Sequence, residues 1–174
     1  ANYNSASGTV HDVISRANLV IGPTGINVMP YNVAYDSMPH TATGTVTGIN
    51  GEDLTDLLDL SGTTHTNVGD YTADEWIFAG NANYNSASGT VHDVITRATL
   101  VVGPAGINIT PYDVTYDGAS HTATGTATGL NGEDLSNLLD LSGTTHTGAG
   151  AYTNDQWSFA GNANYNPSSG VITD

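Results

Sequence analysis

The sequence contains no cysteine and no lysine, and its only permanent cations are Arg16 and Arg97, set against seventeen carboxylates. Without cysteine there is no disulfide framework and no thiolate for zinc ligation or nucleophilic attack. Without lysine a Lys–Asn isopeptide staple is impossible, and a Thr–Gln ester would need Gln156, which is the only glutamine and faces Glu75 in the matching position of the other half. A formal net charge of −15 excludes nucleic acid as a partner, because phosphates are bound by displacing counterions with Lys and Arg. The same charge argues against anionic membrane surfaces. No run approaches the roughly 18 apolar residues of a membrane span, so no membrane insertion is expected of this segment. What remains is a chain rich in Gly, Thr, Asn, Ala and Ser, the palette of turn-rich β proteins.

The dominant positive feature is a repeat. Displacing the 174-residue chain by 81 residues aligns Ala1 with Ala82 and Asn81 with Asn162 without a gap, and 60 of the 81 pairs are identical. Ala1–Ile14 and Ala82–Ile95 match letter for letter, and a third copy starts at Ala163 and runs to Asp174. Solenoid repeats are commonly about 20–50 residues long, whereas this period suffices for a small domain, so beads on a string are expected. The junctions "GTVHDVISRANLVIG" and "GTVHDVITRATLVVG" place the boundaries. Residues 1–15 read as the closing strand of a preceding repeat, 16–96 as the first bead and 97–174 as the second. Three closing strands for two bodies suggest an excerpt of a longer tandem array; the rarer reading is that the loose strand completes another molecule.

The two copies act as an internal substitution experiment. In "YTADEWIF" against "YTNDQWSF", positions 73, 75 and 77 change, while Thr72, Asp74, Trp76 and Phe78 match Thr153, Asp155, Trp157 and Phe159. Alternation with period two predicts a strand with one solvated and one packed face. Ile77, replaced by Ser158, belongs outside; Trp76, Trp157 and Phe78 belong inside. "YNVAYD" against "YDVTYD" keeps Val33 and Tyr35 and varies positions 32 and 34. "ANLVI", "TATGTVTG", "LLDLSGTTHT" and "GTVHDVI" complete six or seven short strands in about 80 residues, which predicts an all-β fold of tandem Ig-like antiparallel β-sandwiches. A helical turn is expected at "NGEDLTDLL", capped by Asn50 or Asn131. Gly two residues before Tyr71 and Tyr152 has the spacing of the tyrosine corner that pins a crossing loop in such sandwiches.

The segments "VTYDGASHTATG", "GLNGEDL", "AGAYT" and "FAGNANY" resemble the mostly-β, glycine-rich (MBG or YDG-type) repeats found in tandem in large bacterial surface and adhesin-like proteins. The resemblance implies an extracellular, cell-surface spacer and supplies no catalytic residues. The first copy departs from it with Ser37 in place of Gly118, so the turn there need not take a positive φ.

Each 81-residue period carries three histidines: His11, His40 and His65, matched by His92, His121 and His146. There is neither a G-x-S-x-G elbow nor a His-x-x-x-His pair, so no enzyme is expected and the histidines read as solvated. Calcium demands six to eight oxygens from a bent loop, and "NGEDL" or "TYDGA" offers only one or two side chains. No metal or other cofactor is assigned; the carboxylates with the best claim to calcium are Asp74 and Asp155, whose inward parity demands at least a hydrogen-bond partner. Arg16 and Arg97, at equivalent junctions, are candidates for bridging carboxylates of adjacent beads. The expected role is a structural spacer or stalk whose partners are neighbouring repeats of the same chain. A segment of an extracellular filament is the first rival, and a glycan-binding adhesin module, with Tyr31 and Tyr84 as aromatic candidates, the second.

Overall fold

The computed structural model describes residues 2–174 and is mostly β, with helix among those residues limited to four 3₁₀ turns of three residues each. The first repeat contains β1 (Ile26–Met29), β2 (Asn32–Ala34), β3 (Thr43–Val46), β4 (Leu58–Asp59), β5 (Gly69–Phe78) and β6 (Ala87–Thr96). β1 and β3 form one antiparallel pair, and β2-β6-β5-β4 form a four-stranded sheet in which β2 runs parallel to β6. Ile26 and Val46 from the pair meet Trp76, Phe78 and Tyr84 in one buried cluster. The second repeat has β7 (Ile107–Thr110), β8 (Thr124–Ala127), β9 (Leu139–Asp140), β10 (Asp155–Phe159) and β11 (Ser168–Ile172). β7 pairs with β8, and β11-β10-β9 form the second sheet.

The strand parity expected for β5 holds from Asp74 onward: Asp74, Trp76 and Phe78 are buried, while Glu75 and Ile77 are exposed. It fails at Thr72 and Thr153, both exposed. The reason is a bulge, because Tyr71 pairs with Asp93 and Asp74 with Val91, leaving β5 one residue longer than its partner. Residues directly opposite share a face, so the extra residue brings Tyr71 and Asp74 to the same side of the sheet. Each tryptophan lies across from a glycine. A Cβ on Gly89 would stand 2.6 Å from the Trp76 ring, and one on Gly170 would stand 2.7 Å from Trp157.

Other expectations shift. "ANLVI" is not a strand; Ala17 and Ile21 make single bridges, to Tyr84 and Ile26. "LLDLSGTTHT" holds only the two-residue β4 before a 3₁₀ turn at Ser61–Thr63. The helical turn begins later than Asn50, at Thr55 and Ser136, with Leu54 and Leu135 before it. Asn50 instead occupies a tight reversal in which Gly51 N–H donates to the Gly48 carbonyl, and Gly51 takes φ +82°. Ser37 does have a positive φ, +68°, close to the +78° of Gly118; the substitution leaves the turn geometry unchanged. Residues 2–15 contain no strand and are exposed throughout, although "GTVHDVI" is strand in its second occurrence.

Candidate functional site: the joint between repeats and a buried acid cluster

β6 runs to Thr96, and after Arg97 alone Ala98 is already paired: its N–H donates to the Asn164 carbonyl at 3.0 Å, and its carbonyl accepts from Asn166 N–H at 2.8 Å. The first repeat opens in the same way, with Ala17 bonded to Asn83 and Asn85. At the joint, Tyr35 and Ile95 of the first repeat belong to one buried cluster with Ala98, Leu100, Trp157, Phe159 and Tyr165 of the second. Tyr35 meets Tyr165 edge to face, with ring centroids 5.6 Å apart, a geometry favoured by the ring quadrupoles. Tyr165 is locked from the other side, since its hydroxyl accepts the Leu130 N–H at 2.8 Å and donates to Glu133.

The arginines do not bridge this joint. Among the described residues neither Arg16 nor Arg97 forms an ion pair, and both side chains are exposed. Their contribution is through the backbone: the Arg97 carbonyl accepts from Asn166 Nδ2 at 3.2 Å. The contact between beads is apolar, so a charged side chain at the junction is left in solvent.

Inside the first repeat, the β5 bulge assembles a polar cluster. Asp74 Oδ2 is 2.8 Å from His65 Nε2, and the His65 ring stacks on Tyr71 at 3.5 Å between centroids. The Tyr71 hydroxyl donates to the Asn67 carbonyl, four residues upstream, at 2.8 Å. Tyr152 does the same to Gly148 at 2.9 Å, so both tyrosines tie down the loop before the strand. Asp93, fully buried on β6, accepts the Tyr31 N–H at 2.8 Å through Oδ1, while its Oδ2 has no partner among the described residues. Burial pushes the Asp93 carboxyl above its ordinary range, and neighbouring Asp74 adds to that rise. Tyr31 is pushed up to about 12 by burial, with the negative charge of Asp93 next in weight. The second repeat repeats the arrangement with His146, Asp155, Tyr152 and Tyr112, where Asp174 stands for Asp93 and is raised by the same causes.

Asp74 and Asp155 thus have the hydrogen-bond partner that their inward parity demanded. Among the described residues no group of three or more His, Asp or Glu has metal-binding geometry. Four of the six histidines are less solvated than their Thr-rich surroundings implied, while His11 and His92 are exposed. His65 and His146 are half-buried against Asp74 and Asp155; His40 and His121 pair with Asp36 and Asp117 at 2.9 and 3.0 Å. The roles of Asp93 and Asp174 were missed because they lie far along the chain from Asp74 and Asp155, Asp93 on β6 and Asp174 two residues beyond β11. No local motif marks them, since Asp93 follows His92 whereas Asp174 follows Thr173. Tyr84 is buried with its hydroxyl bonded to Ile49 N–H and Glu52, and Tyr31 is half-buried with its hydroxyl 3.3 Å from the Thr63 carbonyl. The buried Tyr84 ring presents no exposed face for a glycan to stack on. No known protein family, curated protein or solved structure matches the chain.

Proposed function

We propose that the chain is a structural spacer: two tandem Ig-like β-sandwich repeats of an extracellular, bacterial-surface or adhesin-like protein, holding a distal part away from the cell. The observation that carries this reading is the joint. A buried cluster continuous through Tyr35, Ile95 and Tyr165, with a single residue between β6 and the first bridge of the next repeat, supports a stiff connection rather than a flexible tether. Ten-residue strands β5 and β6 at a rise of about 3.3 Å per residue give the first repeat a reach of roughly 30–40 Å along the strands. An acidic surface resists collapse of neighbouring repeats onto one another. The sequence resemblance to MBG or YDG-type repeats supports the surface location.

Small-angle scattering on the chain, first in EDTA and then in millimolar calcium, tests the reading. A rod of unchanged dimensions in both buffers is expected. A bent or variable particle that straightens only in calcium would replace the packed joint by an ion-rigidified one. A joint that stays flexible in both would end the spacer reading.

A further inference from the structure

Thr47 bridges Asp53 in the first repeat and Thr128 bridges Asp134 in the second. Inside each bridge the chain reverses. In the second repeat Gly129 N–H donates to the Glu133 carbonyl at 2.9 Å, and Gly132 N–H to the Gly129 carbonyl at 3.0 Å. The tips of these reversals hold the two Asn–Gly pairs of the chain, Asn50–Gly51 and Asn131–Gly132. All four residues are exposed. The glycines take φ +82° and +85°, and a Cβ added at either would meet nothing within 4 Å. Each reversal is also fastened to a buried tyrosine. Leu130 N–H donates to the Tyr165 hydroxyl at 2.8 Å, that hydroxyl donates to Glu133, and Asn131 N–H donates to the other Glu133 oxygen at 3.1 Å. Ile49, Asn50 and Glu52 hold Tyr84 in the same way. The tyrosines differ in what lies beyond them. Tyr84 belongs to the core of the first repeat, whereas Tyr165 meets Tyr35 across the joint.

We propose that the Asn–Gly turn of each repeat is a site of spontaneous conversion to isoaspartate, and that conversion at Asn131 loosens the joint. The glycine nitrogen attacks the asparagine Cγ and gives up its proton as the new N–C bond forms. The C–N bond of the side-chain amide breaks, and ammonia leaves. One water, the only co-reactant, then opens the five-membered imide. Opening at the former main-chain carbonyl routes the chain through Cβ, which is isoaspartate. Glycine permits the attack because no Cβ shields its nitrogen, and the open space at the tip leaves room for the ring. Every other asparagine precedes a residue that carries a Cβ. Attack requires Gly132 N–H to leave the Gly129 carbonyl, so the folded chain should react more slowly than the unfolded one. Isoaspartate puts one extra atom into the main chain between Leu130 and Glu133. The reversal then cannot hold the Tyr165 hydroxyl from both sides, and the ring on which Tyr35 packs loses an anchor. This goes beyond the spacer reading, which assigns the turns no chemistry.

The full chain is aged in warm, mildly alkaline buffer and mapped by peptide mass spectrometry and isoaspartate-specific enzymatic methylation. Isoaspartate should accumulate at Asn50 and Asn131 at least several-fold faster than at any other asparagine. Hydrogen exchange then reads two amides in the converted chain: Leu130 N–H, and Tyr35 N–H, which donates to the Thr96 carbonyl at 2.8 Å. Both should exchange several-fold faster than in the fresh chain. Asn131→Gln keeps the amide but would have to close a six-membered ring, so it should match the parent when fresh and hold both amides at the parent rate on ageing. Asn50→Gln should leave the ageing of the joint unchanged. Conversion spread evenly over the asparagines would overturn the proposal. So would a folded chain that keeps both turns intact while its unfolded form converts. Parent-rate exchange at Tyr35 in chains carrying isoaspartate at position 131 would overturn the coupling to the joint.

Discussion

The two repeats share most of their residues yet differ in how far their sheets extend. β5 and β6 are ten residues long, whereas the matching β10 and β11 are five each. The inner halves agree closely: Trp76 and Trp157, and Phe78 and Phe159, are all buried. The outer halves diverge, and the divergence begins where the closing strand stops. β6 continues through Val94, Ile95 and Thr96, orders β2 alongside it and buries Tyr35. Asp113–Tyr116 has the same pattern of Val and Tyr without that neighbour, and neither β-strand nor burial follows. A short strand parallel to one neighbour is thus a property of the pair and not of its own letters.

The largest effect expected from this contrast is at the paired tyrosines. Tyr35→Ala removes a buried ring packed edge to face on Tyr165 and should cost about 3–5 kcal/mol. Tyr116→Ala, at the same repeat position but exposed, should fall within about 0.5 kcal/mol of the parent chain. Chemical denaturation of dilute monomer measures both. Equal losses would mean that Tyr116 is covered in solution.

The glycines opposite tryptophan give the next contrast. Gly89→Ala forces a methyl group against Trp76 and should cost about 1–3 kcal/mol by overpacking. Gly8→Ala, in open space, should leave the melting temperature of the monomer unchanged. A loss at Gly8 comparable to that at Gly89 would place residues 2–15 in a sheet.

The buried acids set a smaller and pH-dependent effect. The folded state raises the Asp93 carboxyl above its ordinary 3.8, chiefly by burial and then through Asp74. Its contribution is therefore fully present below the ordinary value and is lost as pH rises through the folded one. Asp36 and Asp59 run the other way: the backbone N–H groups of Met38 and Ser61 hold them below the ordinary value. Their contributions are present above that value and are lost as pH falls through the lowered ones. Asp93→Asn keeps an acceptor for Tyr31 N–H and removes the buried charge, so it should stabilise the chain at neutral pH by about 1 kcal/mol. The gain should vanish below the ordinary carboxylate range. Asp174→Asn, less buried, should shift stability in the same direction by less. Thermal melts across pH decide this, and a uniform loss at all pH values would show that the carboxylate itself is required.

Much of the β character was legible because identity and change alternate along "YTADEWIF" and "YTNDQWSF". Burial of Trp76, Trp157 and Phe78 followed directly. The bulge at Tyr71–Asp74 was not legible, since one extra residue on a strand leaves no mark until its partner's register is known. That single unseen residue hid the Asp74–Asp93 neighbourhood and made Thr72 look inward. The exposure of Tyr116 was equally invisible, because it depends on a strand contributed from the far end of a repeat. The arginines misled for a simpler reason: position at a junction says nothing about whether the junction is polar.

The smallest contrast lies at the turn before the first histidine pair of each repeat. Asp36 Oδ1 accepts the Met38 N–H at 2.8 Å, and Asp117 Oδ1 accepts the Ala119 N–H at 2.8 Å. The same Asp oxygen in each copy also meets the histidine four residues on. These bonds fix the turn from outside its middle residue, which must then take the left-handed conformation whatever its identity. Gly118 takes it freely; Ser37 takes it against the steric cost of its Cβ, about 1–2 kcal/mol for an L-residue. Part of that is recovered by the Ser37 hydroxyl, which donates to the Asp36 carbonyl at 2.5 Å, and part of any gain from glycine is offset by its freer unfolded chain. Ser37→Gly should therefore stabilise the first repeat by about 0.5–1 kcal/mol, and Gly118→Ser should destabilise the second by a similar amount. Opposite signs in denaturation midpoints would show that the turn is dictated by its aspartate; two losses would show that each copy has refitted its turn around the residue it holds.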